Sequence, residues 1–333
     1  MANVLILGAG TWGVAIAKLL SNNGHKVTCW ARNENLINEL KEKHLHPKLP
    51  KVVLNDDIIF TNQFENSFKD KDVIVYAVPS TGFREVVHNS IKHIDDKKYL
   101  VSLTKGMEDK TLFTMSEIIY DELKKEGIAN EKVVVLSGPT HAEEVVRELP
   151  SMIVSASNNI SAAKYIQDMF MNEYFRVYTN SDVKGVEICA AFKNVIALAS
   201  GIVAGLGYGD NMKAALITRG LAEMIRVGEV VGCKKDTFYG LAGVGDMIVT
   251  ATSTKSRNYN CGKLLGEGYK AKDAIASIGM VVEGINFLPK AMFIKNKYNL
   301  DLPITNGVND IVYNNMDAKY IATLLMTRSK KAE

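Results

Sequence analysis

The chain has too few cysteines, too widely scattered, for a disulfide framework. Cys29, Cys189, Cys233 and Cys261 stand far apart in 333 residues and form no C-x-x-C pair. They read as free thiols of a reducing cytoplasm. Histidine is equally scarce, at six residues. His44 and His46 sit beside Pro47 with no cysteine or carboxylate cluster at ligand spacing, so no metal is expected. An excess of one charge is missing too. Forty Lys+Arg against 37 Asp+Glu leave +3, too small and too evenly spread to imply a nucleic-acid or membrane partner. Met1–Leu7 is apolar but carries no basic leader and is interrupted by Gly8 and Gly10, so no secretory signal is expected. The longest weakly polar stretch, Val195–Gly207, is short for a membrane span and contains Ser200 and three glycines. No integral membrane association is expected, and no repeat or low-complexity stretch is evident; Lys330 and Lys331 suggest a solvated tail.

What remains is a globular composition, 47% hydrophobic and 23% charged, over a length suited to two domains. In the first half, short apolar β-branched runs alternate with helical patterns. Strands are predicted at Val4–Leu7, Val27–Trp30, Val73–Val78, Leu100–Leu103, Val133–Leu136 and Met152–Ser155. Helices are predicted at Trp12–Leu20, Leu36–Lys43, Phe83–Ile94 and Met115–Lys125. That alternation argues for a doubly wound, mainly parallel sheet of the Rossmann type. Past Asn180 the pattern becomes helical, at Ala190–Ala204, Met212–Val230, Ala271–Ile278 and Ile285–Lys295. The reading is an α/β nucleotide-binding domain over residues 1–185 and an all-α domain over 186–333.

Gly8-Ala9-Gly10-Thr11-Trp12-Gly13 follows the first strand and opens a helix. Glycines there permit a tight turn, admit a pyrophosphate close to the backbone and let helix pack on strand. Dinucleotide binding follows from that context. The second strand ends in Trp30-Ala31-Arg32-Asn33, without the carboxylate that grips a ribose diol. Arg32 is either a surface arginine or the partner of a 2′-phosphate, which favours NADPH and leaves NADH as the alternative.

Later strand ends, where open α/β sheets bind ligands, carry Val78-Pro79-Ser80, Ser102-Leu103-Thr104-Lys105-Gly106 and Ser137-Gly138-Pro139-Thr140. Thr140 and Glu143 also fit a T-x-x-E capping box, making Thr140 a predicted helix N-cap. In the second half, Lys193 interrupts the apolar Cys189–Ala197 stretch and either snorkels to solvent or projects into a pocket. A desolvated lysine there suits proton transfer. Gly240-Leu241-Ala242-Gly243-Val244-Gly245-Asp246 reads as a glycine-rich turn ending in a carboxylate. The hydroxyl-rich run from Thr250 to Ser256, with Arg257 and Asn258, is either a solvated loop or a phosphate grip.

Taken in order, Gly8-x-Gly10-x-x-Gly13, Ala77-Val78-Pro79-Ser80, Thr104-Lys105-Gly106, Ser137-Gly138-Pro139-Thr140, Phe192-Lys193-Asn194, Leu241–Asp246, Ser256-Arg257-Asn258 and Val281-Val282-Glu283-Gly284 run the whole chain. The set resembles the bacterial NAD(P)-dependent glycerol-3-phosphate dehydrogenases. Two departures are mild: Thr140 stands where many members have Ser, and Leu-Thr-Lys-Gly where many have Ala-Ser-Lys-Gly. The resemblance implies interconversion of dihydroxyacetone phosphate and sn-glycerol 3-phosphate, supplying phospholipid synthesis, by a homodimer. It implies that Thr11, Trp12, Arg32, Lys105, Ala142, Arg257, Val281 and Glu283 contact cofactor. It implies that Lys105, Gly138, Thr140, Lys193, Asp246, Ser256, Arg257 and Asn258 contact substrate, with Lys193 as the acid/base and Lys105 and Asp246 assisting. Two rivals remain open at this point. A ketopantoate or 3-hydroxyisobutyrate reductase would act on a carboxylate, and a redox sensor would only read the cofactor.

Overall fold

In the computed structural model, which describes all residues except Pro50, Lys331 and Glu333, the apolar runs of the first half become one eight-stranded sheet. Its strands are β1 (Asn3–Leu7), β2 (Lys26–Trp30), β3 (Ile59–Thr61), β4 (Val73–Tyr76), β5 (Tyr99–Ser102), β6 (Val133–Ser137), β7 (Ser151–Ala156) and β8 (Phe175–Asn180). Their spatial order is 3-2-1-4-5-6-7-8. All neighbours pair in parallel except β6 and β7.

Alternation along the central strands explains why both sheet faces need cover. Val4, Ile6, Val73 and Val75 enter one core with residues of helix α1 (Thr11–Asn22). Leu5, Leu7, Ile74 and Tyr76 enter the other, against α3 (Phe83–Ser90) and α4 (Met115–Lys125). Helices α2 (Glu34–Lys43), α5 (Ala142–Val145) and α6 (Ile160–Phe170) complete the layers. The order reverses between β1 and β4, the place where a doubly wound sheet opens a crevice at its strand ends.

The described residues divide into two compact units, Met1–Glu187 and Ile188–Glu333, with the division inside α7 (Val183–Gly205). The second unit is helical: α8 (Asp210–Val230), α9 (Lys235–Tyr239), α10 (Asp246–Thr252), α11 (Arg257–Gly266), α12 (Ala271–Ile278), α13 (Glu283–Lys297), α14 (Pro303–Tyr313) and α15 (Ala318–Met326). Lys330 is exposed, and Lys331 lies outside the described residues.

One expectation about α7 needs correcting. At 23 residues it is long and apolar enough to cross a membrane by length and composition, and 89% of its apolar window is buried inside the protein. Its glycines serve packing instead of breaking the run. A Cβ at Gly201 would fall 2.0 Å from the Tyr259 carbonyl oxygen, and one at Gly262 would fall 2.0 Å from that of Leu198. Small residues thus let α7 and α11 meet backbone to backbone.

Candidate active site

In the Met1–Glu187 unit the glycine turn sits at the reversal of strand order. Gly8 has φ +123°, and a Cβ there would meet the Ala77 carbonyl oxygen at 2.5 Å. A Cβ on Gly13 would fall 1.9 Å from the Gly8 oxygen, so the first turn of α1 can press on the loop only as glycine. Gly10 is different. It is the extended N-cap of α1, and a Cβ there would meet nothing within 4 Å. No side chain caps α1, and its first turn holds no acidic residue. These amides fit a dinucleotide pyrophosphate through helix-end charge and hydrogen bonding. Thr11 and Trp12 are half-buried beside them.

Arg32 is exposed past the end of β2, and its Nη2 donates to Glu85 Oε1 at 2.7 Å. Glu85 carries no signal in the sequence motifs. Such an exposed pair is worth only about 0–1 kcal/mol, so a phosphate dianion can displace the carboxylate.

At the ends of β5 and β6, Thr104 Oγ1 donates to the Val78 carbonyl at 2.7 Å. Lys105 Nζ and Thr140 Oγ1 both donate to the Gly138 carbonyl, at 3.4 and 3.3 Å. Three sequence candidates therefore meet at one carbonyl. Gly138 must be small, because a Cβ would lie 3.0 Å from Ile153 Cα and 3.1 Å from the Met152 oxygen. The predicted capping box is not formed. Helix α5 starts at Ala142, its N-cap is His141, and no side chain caps it. Starting one residue late, this four-residue helix leaves the Thr140 hydroxyl to turn back onto Gly138. Ala142 is buried at its first position.

In the Ile188–Glu333 unit the choice between a snorkelling and an inward lysine is resolved. Lys193, only 5% exposed, donates from Nζ to Asp246 Oδ1 at 2.5 Å and to Thr250 Oγ1 at 2.8 Å. Thr250 donates in turn to the Asp246 carbonyl oxygen at 2.6 Å. Asp246 is 1% exposed, so this is a buried charged pair with a hydroxyl bracket. Thr250 appears in the sequence only as one hydroxyl of several. Its position four residues after Asp246, on the same helical face, is the signal that marks it.

The glycine-rich segment before Asp246 is a π-turn over Leu241–Gly245, where Gly245 N donates to the Gly240 oxygen at 3.3 Å. Such turns re-aim side chains at functional sites. Gly243 permits it, since a Cβ would stand 2.1 Å from the Phe238 oxygen.

Ser256-Arg257-Asn258 is not a loop. Ser256 is the N-cap of α11, accepting from Tyr259 N at 3.2 Å. Exposed Arg257 donates from Nη1 to the Val281 carbonyl at 3.0 Å, which joins two expected cofactor residues. Asn258 is buried and donates from Nδ2 to Asn194 Oδ1 at 3.0 Å. Its Oδ1 accepts from Gly284 N at 2.8 Å, beside Glu283 at the start of α13. Asn194 thus brackets α7 to α11. Among the described residues, no group of three or more His, Cys, Asp or Glu is arranged to hold a metal.

Comparison with known proteins agrees along both units. Residues 3–163 match the N-terminal model of NAD-dependent glycerol-3-phosphate dehydrogenase, and residues 182–323 match the C-terminal one. The chain is 50% identical to glycerol-3-phosphate dehydrogenase 2, of the NAD(P)+ type, from Lactobacillus delbrueckii subsp. bulgaricus, covering 100% of this chain and 99% of that one. It is 45% identical to the Bacillus subtilis protein of the same type, covering 100% and 96%. Among solved structures, the glycerol-3-phosphate dehydrogenase of Coxiella burnetii matches with TM-score 0.91 and 34% identity over 98% and 99% of the two chains. A ketopantoate reductase from Ralstonia eutropha, at TM-score 0.58 and 15% identity over 97% and 99%, shares the fold alone. This chain belongs to the NAD-dependent glycerol-3-phosphate dehydrogenase family.

Proposed function

We propose that the chain reduces dihydroxyacetone phosphate to sn-glycerol 3-phosphate reversibly with NADPH, and with NADH as the alternative, supplying glycerol phosphate for phospholipid synthesis. The observation that carries the chemistry is Lys193, buried against Asp246 and Thr250 in the mostly apolar Cys189–Ala197 stretch of α7. The reduced nicotinamide supplies the hydride received at C2 of the substrate. Lys193 gives a proton to the C2 oxygen and, in reverse, takes it back from the hydroxyl. Asp246 and Thr250 hold the lysine in one orientation. Lys105 supports negative charge developing on that oxygen. Arg257 and the capped start of α11, with Ser256 and Asn258, anchor the phosphate away from the reacting carbon. Gly138 and Thr140 complete the substrate contacts. Gly8, Gly10, Gly13, Thr11 and Trp12 receive the pyrophosphate end of the cofactor, Arg32 its 2′-phosphate, and Ala142, Val281 and Glu283 further parts. In this reading residues 1–185 bind the nucleotide, residues 186–333 bind substrate, and the protein works as a cytoplasmic homodimer.

Mixing the protein with NADPH and dihydroxyacetone phosphate, and following reduced nicotinamide by absorbance, tests the reading. Consumption that requires the phosphorylated ketone supports it. Consumption with ketopantoate in its place, or cofactor binding without turnover, overturns it. Repeating the assay with NADH reads what Arg32 contributes.

A further inference from the structure

Arg84, on the first turn of α3, has no part in the chemistry above, yet three carboxylates converge on it. Its Nε and Nη2 fork onto Glu108, 2.6 Å from Oε1 and 2.8 Å from Oε2. Its Nη1 donates to Asp121 and, at 2.6 Å, to Glu122 on α4. Its Cζ stands 6.0 Å from the Phe113 ring centre. This is not a lone surface pair: the Arg84 side chain is 24% exposed and that of Glu122 only 3%. Lys125 adds bonds to Asp121 and Glu122 at 2.8 and 2.7 Å, and His88 Nδ1 lies 2.9 Å from Glu122.

Glu108 lies three residues past Lys105, in a closed loop. Met107 bridges Thr114, Glu108 N donates to the Phe113 oxygen at 2.9 Å, and Thr111 Oγ1 donates to Glu108 Oε2 at 2.5 Å. The loop enters at Gly106 with φ +136° and turns at Leu112 with φ +60°. Lys105 therefore stands between two tethers. One is the sheet, through Leu103 N to the Tyr76 oxygen and Thr104 Oγ1 to the Val78 oxygen. The other is Glu108, which Arg84 grips. The fork is the geometry only arginine supplies, and a lysine on a flexible stem needs its backbone fixed before its ammonium can be.

We propose that Arg84, through its fork onto Glu108, is a positioning residue for Lys105, holding the Gly106–Thr114 loop so that the Lys105 ammonium stays where the reaction uses it. The proposal rests on the reading of Lys105 as a substrate and cofactor contact. Glu108 raises the Arg84 pKa above its ordinary value, and Arg84 holds Glu108 below the usual carboxylate range, so both stay charged at working pH.

The experiment is a double-mutant cycle of Arg84→Met and Lys105→Met, read as kcat/KM for dihydroxyacetone phosphate beside thermal stability. Arg84→Met alone should lower kcat/KM roughly tenfold to hundredfold, the scale of misplacing a reacting group by about an ångström. With Lys105→Met already present, the same change should cost less than about threefold, because no ammonium remains to misplace. Its effect on Tm should be the same on both backgrounds. Equal losses of kcat/KM on the two backgrounds, or no loss on either, overturn the proposal. If Lys105→Met alone leaves kcat/KM intact, the reading of Lys105 falls and takes the proposal with it. Should Arg84→Met fail to fold, Glu108→Gln cuts the fork while Asp121 and Glu122 remain. It should show the same dependence on Lys105, with a loss of roughly threefold to thirtyfold; a loss independent of Lys105 overturns the proposal equally.

Discussion

The two units build their functional groups from different materials. Met1–Glu187 uses backbone: a glycine turn, the uncapped amides of α1, and the Gly138 carbonyl that gathers Lys105 and Thr140. Ile188–Glu333 uses buried side chains: Lys193 on Asp246 and Thr250, and Asn258 between Asn194 and Gly284. A backbone site fails when a Cβ is added. A side-chain site fails when a group is exchanged for one of the same size and different chemistry.

The largest effect is expected in the side-chain site. Lys193→Ala should lower kcat by about 10²- to 10⁴-fold, as loss of a placed acid/base does. It should also destabilise the fold by about 3–5 kcal/mol, because Asp246 is left buried without its cation. The double variant Lys193→Met, Asp246→Leu separates these effects: stability should return while activity does not. Denaturant melts and steady-state rates on the two variants check this. Turnover by Lys193→Ala within a few-fold of the parent would remove Lys193 from the chemistry.

The backbone site offers a matched pair. Gly13→Ala drives a Cβ against the Gly8 oxygen and should cost about 1–3 kcal/mol of stability, with NADPH binding weakened alongside. Gly10→Ala should fold as well as the parent, since its backbone is extended and the added Cβ meets nothing. It should still weaken NADPH, by roughly tenfold or more, because the methyl takes space the pyrophosphate needs. Melting curves with and without NADPH distinguish the two. Full NADPH affinity in a folded Gly10→Ala would mean the cofactor lies elsewhere.

Arg257→Ala tests a place where both materials meet, a side chain beside a capped helix start. Losing a charge-assisted phosphate contact should raise KM for dihydroxyacetone phosphate roughly tenfold to hundredfold. Dihydroxyacetone without its phosphate should be a poor substrate of the parent and scarcely poorer for the variant. Equal harm to both substrates would assign Arg257 to the cofactor or to the Val281 contact.

The same division explains what could be read beforehand. Val4–Leu7, Val73–Tyr76 and Val133–Ser137 are interior strands, apolar on both faces, and their runs are plain in the sequence. Strands β3 and β8 are edges. Ile59 is 61% exposed in a three-residue strand, and Arg176 and Tyr178 alternate with buried Phe175 and Val177, so neither shows a continuous run. Glycines announce a backbone site because little else explains them at that spacing. The side-chain site shows itself as one anomalous residue, Lys193, whose partners lie 53 and 57 residues away. Thr250 is marked only by its place four residues after Asp246 and Asn194 only by standing beside Lys193, and Ser256 looks like loop because it stands among hydroxyls before α11 begins. Arg84 is hidden for the same reason, since its carboxylates come from two other segments.

Each unit also buries one glutamate at a helix start, and this gives the prediction with the smallest expected effect on turnover. Glu187 accepts from Ser116 N and Oγ at 2.8 and 2.5 Å, at the start of α4. Glu223 accepts from Ile304 N and from Thr305 N and Oγ at 2.6, 3.0 and 2.7 Å, at the start of α14. Burial raises both carboxyls above the ordinary value, and Glu187 reaches about 7, with the Ser116 bonds opposing and Glu117 adding. A raised acid keeps its proton in the folded state after the unfolded chain has released it. Folding therefore loses stability as pH climbs from about 4.5 to about 7, by roughly 3 kcal/mol from Glu187 alone. Glu187→Gln mimics the protonated acid, since its carbonyl accepts from Ser116 N and its amide donates to Ser116 Oγ. Relative to the parent it should gain about 3 kcal/mol between pH 4.5 and pH 8, measured by denaturant melts at both. Glu223→Gln should gain in the same direction through the same sign. A difference that does not change with pH would mean that Glu187 is charged in the fold throughout, held by the amides of α4 against its burial, as a capping anion and not a neutral acid.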